Sequence, residues 1–349
     1  MPSEATVLPG GIASVGQLED LLSTPTDPVV ETFRRLPGDL VILGAAGKMG
    51  PTLARMARRA ADAVGTPRRV IAVSRFSGEG SESAFRAAGV ETIRCDLLDE
   101  AAVAALPGAP LVVFMAGMKF GSTGAESVTW AMNAYLPAVV ARRYPTSRIA
   151  AFSTGNVYGL VPVGGGGSRE TDPPNPRGEY AQSCLGRERM FEHFSRTQGT
   201  PVALLRLNYA TEPRYGIIVD LARRVAAGEP VDLAMGWFNA IWQGDASAMA
   251  LASLADAATP PFVVNLAGPE RLSVREVAAD LGRRLGKPPA FRGTESPDAL
   301  LADGSLGWAR YGRPRVDAGR LTGWVADWTV RGGVTLGKPT HFESRDGKF

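Results

Sequence analysis

The sequence predicts an α/β fold with a doubly wound parallel sheet, on three observations. At residues 38–64 a short apolar run leads directly into closely spaced glycines and then into a helical pattern. Five further runs read as strands: RRVIAVS (68–74), VETIRC (90–95), PLVVFMA (110–116), RIAAFS (148–153) and TPVALLRL (200–207). Helical stretches separate them, as a parallel sheet with crossover helices requires.

The first unit, GDLVILGAAGKMG, carries Gly44, Gly47, Lys48, Met49 and Gly50 between strand and helix. Glycines there let the backbone turn tightly and approach a diphosphate, whose charge sits on the N–H groups that open the helix. Residues 39–206 therefore read as a dinucleotide-binding (Rossmann) domain. Residues 1–38 precede it as a helical extension in which VGQLEDLLS and VVETFRRL are short amphipathic helices, expected against the outside of that domain. Residues 207–349 form a smaller substrate-binding lobe, with some segments returning to the first domain. The stretch 161–179 is too rich in glycine and proline for regular structure and is expected to border the site.

Composition narrows the function. With 45% apolar residues in a chain of 349, a sizeable core can be buried. The net charge is only +3, from 33 arginines and five lysines against 35 acids, without a clustered basic face, which argues against nucleic acid as a partner. Two cysteines point to a reducing compartment, expected to be the cytoplasm, and no apolar run reaches the ~18 residues of a membrane span.

Further motifs fall into the slots this fold provides. Cys95-Asp96-Leu97 follows the third strand and Ala116-Gly117-Met118-Lys119 the fourth, with Asn133 on the next helix. Ser153-Thr154-Gly155-Asn156-Val157-Tyr158-Gly159 follows the fifth. Glu170, Pro176 and Tyr180 then stand in E-x-x-x-P-x-x-x-Y spacing, with Ser183, Leu185 and Glu188 beyond. In this order the motifs resemble the extended short-chain dehydrogenase/reductase family, and most closely its UDP-glucose 4-epimerase-like members, over roughly residues 39–330. Asp245 and the segment 265–287 match the family's later positions.

The resemblance implies roles. Gly44, Gly47, Lys48, Met49, Gly50, Ser74, Asp96, Leu97, Ala116, Gly117, Lys119, Asn133, Ser153 and Tyr180 would hold the cofactor. Thr154 would hydrogen-bond the reacting oxygen, and Tyr180 would transfer the proton. One departure is pronounced: the family's Y-x-x-x-K reads Tyr180-Ala-Gln-Ser-Cys184. Four helical residues rise roughly 6 Å, so the two side chains share a face. A cation about 5 Å from a phenol favours phenolate by roughly 3 kcal/mol, or about 2 pKa units. Cys184 cannot supply it. Lys119 or a water is the expected substitute, and Cys184 reads more readily as a small buried thiol than as a nucleophile.

At the end of the second strand stand Ser74 and Arg75, with no carboxylate to bind a ribose 2′-hydroxyl. Arg75, with Lys48 nearby, fits a 2′-phosphate and favours NADP over NAD; alternatively both are solvated and Ser74 holds the ribose. Where nucleotide-sugar epimerases carry a diphosphate-binding arginine, this chain has Phe238, so a smaller polyol, sugar or sugar acid is expected. Arg292 matches either a second phosphate contact or a surface residue, and after Arg206 either Asn208 or Tyr209 reaches the pocket. The expected function is hydride transfer on such a substrate. A silent NAD(P)-binding sensor and a nucleotide-sugar epimerase with tightly bound NAD are the alternatives. A homodimer is expected through helices near 124–143 and 179–197.

Overall fold

The computed structural model describes residues 8–78, 81–119, 121 and 123–348; the first seven residues of the expected N-terminal extension lie outside them. Seven strands form one sheet: β1 Leu40–Leu43, β2 Val70–Ser74, β3 Glu91–Arg94, β4 Leu111–Phe114, β5 Arg148–Thr154, β6 Val202–Leu207 and β7 Phe262–Leu266. Every pairing is parallel, in the order β7-β6-β5-β4-β1-β2-β3. Strands β1 and β4 are buried at every position, because both faces of a parallel sheet are covered by crossover helices and continuous apolar runs satisfy both. The edge strand β3 instead carries exposed Glu91 and Arg94.

One face packs on helices Asp27–Arg35, Gly50–Val64 and Gln243–Ala252, through Phe33, Leu53 and Met249. The other packs on Leu136–Arg143 and Gly178–Gln198, through Leu136, Val140 and Phe191. A second core gathers helices Ile217–Ala227, Val274–Leu285 and Ala318–Val330, with Trp242 and Trp324 edge to face at 5.4 Å. Strand β7 and helices Gln243–Ala252 and Ser305–Tyr311 return from this lobe to the sheet.

The structure adds detail to two expectations. The N-terminal helices Val15–Leu22 and Asp27–Arg35 pack on helices Gly50–Val64 and Gln243–Ala252, and their apolar faces extend both cores: Leu18 and Leu22 belong to the second, Val29 and Phe33 to the first. Segment 161–179 is partly regular. Val161–Pro162 pairs antiparallel with Asp298–Ala299, and Glu170 accepts from the Asn265 amide at 2.8 Å, which ties the segment to β7. None of its residues lines the cavity at the carboxyl ends of the strands, although Arg177 stands near Asn156 and Tyr209, which do.

Candidate functional site

All strands run in one direction, so their carboxyl ends open on one edge, and the switch in strand order falls between β1 and β4. A cavity of about 360 Å³ lies there, lined among others by Gly47, Met115, Gly117, Ser153, Thr154, Tyr180 and Leu207.

The glycine turn is shaped by two different demands. Gly44 has φ +84°, and a side chain there would lie 2.6 Å from the Ala116 backbone; at Gly50 it would lie 1.8 Å from the Ala45 oxygen. Packing alone excludes side chains at both positions. Gly47 is different: a Cβ would find nothing nearer than the Gly44 oxygen at 3.6 Å, and its φ is not left-handed. Its open face meets the cavity, next to a helix whose N-terminus has no side-chain cap among the described residues. A nicotinamide dinucleotide fits this arrangement, its diphosphate over Gly47 and the N–H groups that open helix Gly50–Val64.

Opposite the turn, β5 delivers Ser153 and Thr154. Ser153 donates to Glu188 at 2.5 Å, and Thr154 Oγ1 accepts from Asn156 Nδ2 at 2.9 Å. Helix Gly178–Gln198 delivers Tyr180, which lines the cavity beside Thr154 and packs against Cys184. Burial holds that phenol well above its ordinary range, and Cys184 adds to the rise, while Arg187 and Thr154 oppose it. Lys119 Nζ lies 5.7 Å from the Tyr180 ring and donates to the Thr340 carbonyl at 3.5 Å. Asn133 sits in a π-turn, Ala131–Tyr135, fully buried. Its amide brackets Met118, accepting from the backbone N–H at 2.9 Å and donating to the carbonyl at 2.8 Å, which fixes the loop carrying Lys119.

Cations dominate the lining: Lys48, Lys119, Arg187 and Lys338, with no carboxylate among the described lining residues. Lys48 Nζ stands 3.6 Å above the Tyr215 ring. Burial, then Lys119 and Lys338, push it down to about 7 against the pull of Asp220. Burial likewise pushes Lys119 down to about 8. Lys338 and Thr340 come from the segment after the last helix, held by two hydrogen bonds from Thr340 to Asp220, 2.7 Å from its N–H and 2.6 Å from its hydroxyl.

Several residues stand elsewhere than motif matching implies. Lys48 does not join Arg75; it faces the cavity, whereas Arg75 is exposed beyond β2 and lines none of it. Cys184 is fully buried behind Tyr180 against Val157 and Tyr158, its thiol pushed up by burial, and does not line the cavity. Phe238 is wholly in the second core rather than in the pocket, because Trp237 and Phe238 alternate faces on a short strand. Arg292 pairs with Asp232 at 3.0 Å, away from the cavity. Asp245 is held by Arg315 at 2.6 Å. Asn208 and Tyr209 both reach the cavity, and Asp96 and Leu97 lie at the end of β3 outside it, Asp96 accepting from the Leu98 amide. The sequence reading overlooked Arg187, Tyr215, Lys338 and Thr340.

A doubly wound sheet with a glycine cradle at its switch point and a Thr–Tyr pair across the cavity defines a nicotinamide-dinucleotide-dependent enzyme. The model of the NAD dependent epimerase/dehydratase family matches residues 40–269, and the chain belongs to that family of enzymes. No curated protein matches the sequence. Among solved structures, the UDP-glucuronic acid 4-epimerase from Bacillus cereus in complex with UDP-glucuronic acid and NAD is similar at 18% identity and TM-score 0.69, over 84% of this chain and 99% of that one. The Thermus thermophilus UDP-glucose 4-epimerase complex with NAD gives 22% and 0.68 over 85% and 100%. DesIV, a dTDP-glucose 4,6-dehydratase from Streptomyces venezuelae with NAD bound, gives 19% and 0.71 over 84% and 97%.

Proposed function

We propose that this enzyme carries out hydride transfer at an alcohol or carbonyl carbon of a sugar, polyol or sugar acid, with Tyr180 as the proton-transfer residue and Thr154 as hydrogen-bond partner of the reacting oxygen. The observation that carries this reading is that Thr154 and Tyr180 both face a cavity that reaches the Gly47 turn. The bound dinucleotide supplies the hydride acceptor or donor. For an alcohol, Tyr180 as phenolate takes the hydroxyl proton; for a ketone, the phenol gives it back. Four cations and no lining carboxylate support an acidic substrate such as a sugar acid over a neutral polyol. UDP and UDP-sugars are expected to bind no better than about millimolar if their diphosphate needs an arginine of the second lobe, none of which lines the cavity among the described residues; tighter UDP binding would mean that the four lining cations serve a diphosphate instead.

For the cofactor we favour NADP over NAD. Arg75, exposed and without an ion pair among the described residues, follows the last residue of β2 with no acid next to it in the sequence. NADP(H) is expected to bind about 10- to 100-fold tighter than NAD(H), the worth of one or two charge-assisted contacts. Calorimetric titration of both nucleotides decides it, and equal or tighter NAD binding would overturn the preference; the solved neighbours described above hold NAD.

A homodimer through helices Glu126–Trp130, Leu136–Arg143 and Gly178–Gln198 is supported by exposed Val128, Trp130 and Tyr135 on that side. No helix among the described residues is long and apolar enough to cross a membrane, and the two unpaired cysteines support a cytoplasmic location. Turnover of a panel of sugars, polyols and sugar acids, lost in Tyr180→Phe, tests the main reading. Tight nucleotide binding without turnover of any of them would favour a sensor, a reading to which the high phenol and the missing lysine lend support.

A further inference from the structure

Arg187 lies seven residues beyond Tyr180, two turns along the same helix face. Helical side chains lean toward the N-terminus, so a long one at 187 covers the turn that begins at 183. The contacts agree: Nη2 donates to Asn133 Oδ1 at 2.8 Å, and the same Asn133 amide donates to Ser183 Oγ at 3.0 Å. The guanidinium therefore stands level with Cys184, where the helix itself offers only a thiol.

Its setting is built. Nη1 donates to the Phe152 carbonyl at 2.6 Å and Nε to the Asn133 carbonyl at 3.4 Å, so three bonds fix the plane of the group. Gly117 makes the room, since a Cβ there would lie 2.4 Å from Nη2. The residue is only 6% exposed, yet all three acceptors are neutral amide oxygens. The neighbouring Glu188 is already engaged by Arg206 and Ser153. A buried charge without a counterion is costly unless something in the site uses it.

We propose that Arg187 is the positioning residue for Tyr180, bringing to this wall, from the next turn of the helix, the positive charge that position 184 lacks. Its field favours the phenolate of Tyr180 and also acts on Cys184. The other groups facing this corner are Lys119, over the Tyr180 ring, and Thr154; Asp220 acts on Lys119 from helix Ile217–Ala227.

The assignment rests on Tyr180 as the proton-transfer residue, and its test is independent of turnover. A difluorotyrosine placed at position 180 titrates in an accessible range, read by fluorine NMR in wild-type, Arg187→Met, Arg187→Lys and Arg187→Met/Cys184→Lys backgrounds. Arg187→Met is expected to raise the phenol midpoint by about one to two pH units, the worth of one charge at this range in a partly screened interior. Arg187→Lys should hold it near the wild-type value, and Cys184→Lys should bring it back in the Arg187→Met background. The pH–rate profile of the native tyrosine should move in the same way. An unchanged midpoint in Arg187→Met, or no return with Cys184→Lys, overturns the proposal. Should Arg187→Met not fold, an Arg187→Lys midpoint displaced by a full unit overturns it equally. A wild-type chain without turnover but with the predicted midpoints would defeat the proposed reaction and leave this assignment standing.

Discussion

Glu188 grips Arg206 with both carboxylate oxygens, Nε at 3.0 Å and Nη2 at 2.8 Å, and neither side chain is more than 6% exposed. The pair joins the Tyr180 helix to β6, and Ser153 completes it from β5. Removing one partner strands the other charge in the interior. Glu188→Gln is therefore expected to cost about 3–5 kcal/mol of stability, measured by urea unfolding. A loss below about 1 kcal/mol would mean that the pair is not desolvated in solution.

Tyr180→Phe should lower turnover by about 10²- to 10⁴-fold while leaving nucleotide affinity unchanged. Because burial lifts the phenol, alcohol oxidation by the wild-type enzyme should still be climbing above pH 8. A rate already flat at pH 7 would show that another group accepts the proton.

Lys119 in the free enzyme loses its charge as pH rises through about 8. For a sugar-acid substrate, KM should therefore increase above that pH, and for a neutral polyol it should not. Steady-state kinetics on a matched acid and alcohol separate the two cases, and parallel KM curves would remove Lys119 from substrate binding.

Lys48 titrates near 7 when folded against an ordinary 10.5, so between those values the unfolded chain binds more protons and stability climbs with pH. Below about 7 the full cost of the buried charge is present. Lys48→Met should accordingly raise Tm, and by more at pH 6 than at pH 9. Equal shifts at both would show that Lys48 is solvated.

The two kinds of glycine can be told apart. Gly50→Ala, with backbone 1.8 Å from the new Cβ, is expected to destabilise the fold by about 1–3 kcal/mol. Gly47→Ala should leave Tm nearly unchanged and weaken dinucleotide binding at least about tenfold. Unaltered nucleotide affinity in Gly47→Ala would move the diphosphate away from this turn.

What the sequence disclosed follows from how local each signal is. Short, β-branched apolar runs such as LVIL and LVVF, bounded by Gly44 and Pro110, read as buried strands, and the glycine turn, Thr154 and Tyr180 follow such strands in the chain. Arg187 was hidden because GRERMFEH reads as an ordinary charged helix surface, and only the π-turn that turns Asn133 inward reveals what the guanidinium grips. Lys338 and Thr340 carry no motif and reach the cavity through Asp220, far away in the chain. Phe238 misled because a motif match fixes the position along a strand and not the face on which the side chain falls.

The segment after Val330 supplies one wall of the cavity. The sheet is complete at Leu266 and the glycine cradle long before, whereas one wall of the cavity waits for Lys338 and Thr340. Between the last helix and that wall run residues 331–337, most of them exposed, an accessible stretch for a protease. A cut there is expected to open the substrate side of the cavity while leaving the glycine turn in place.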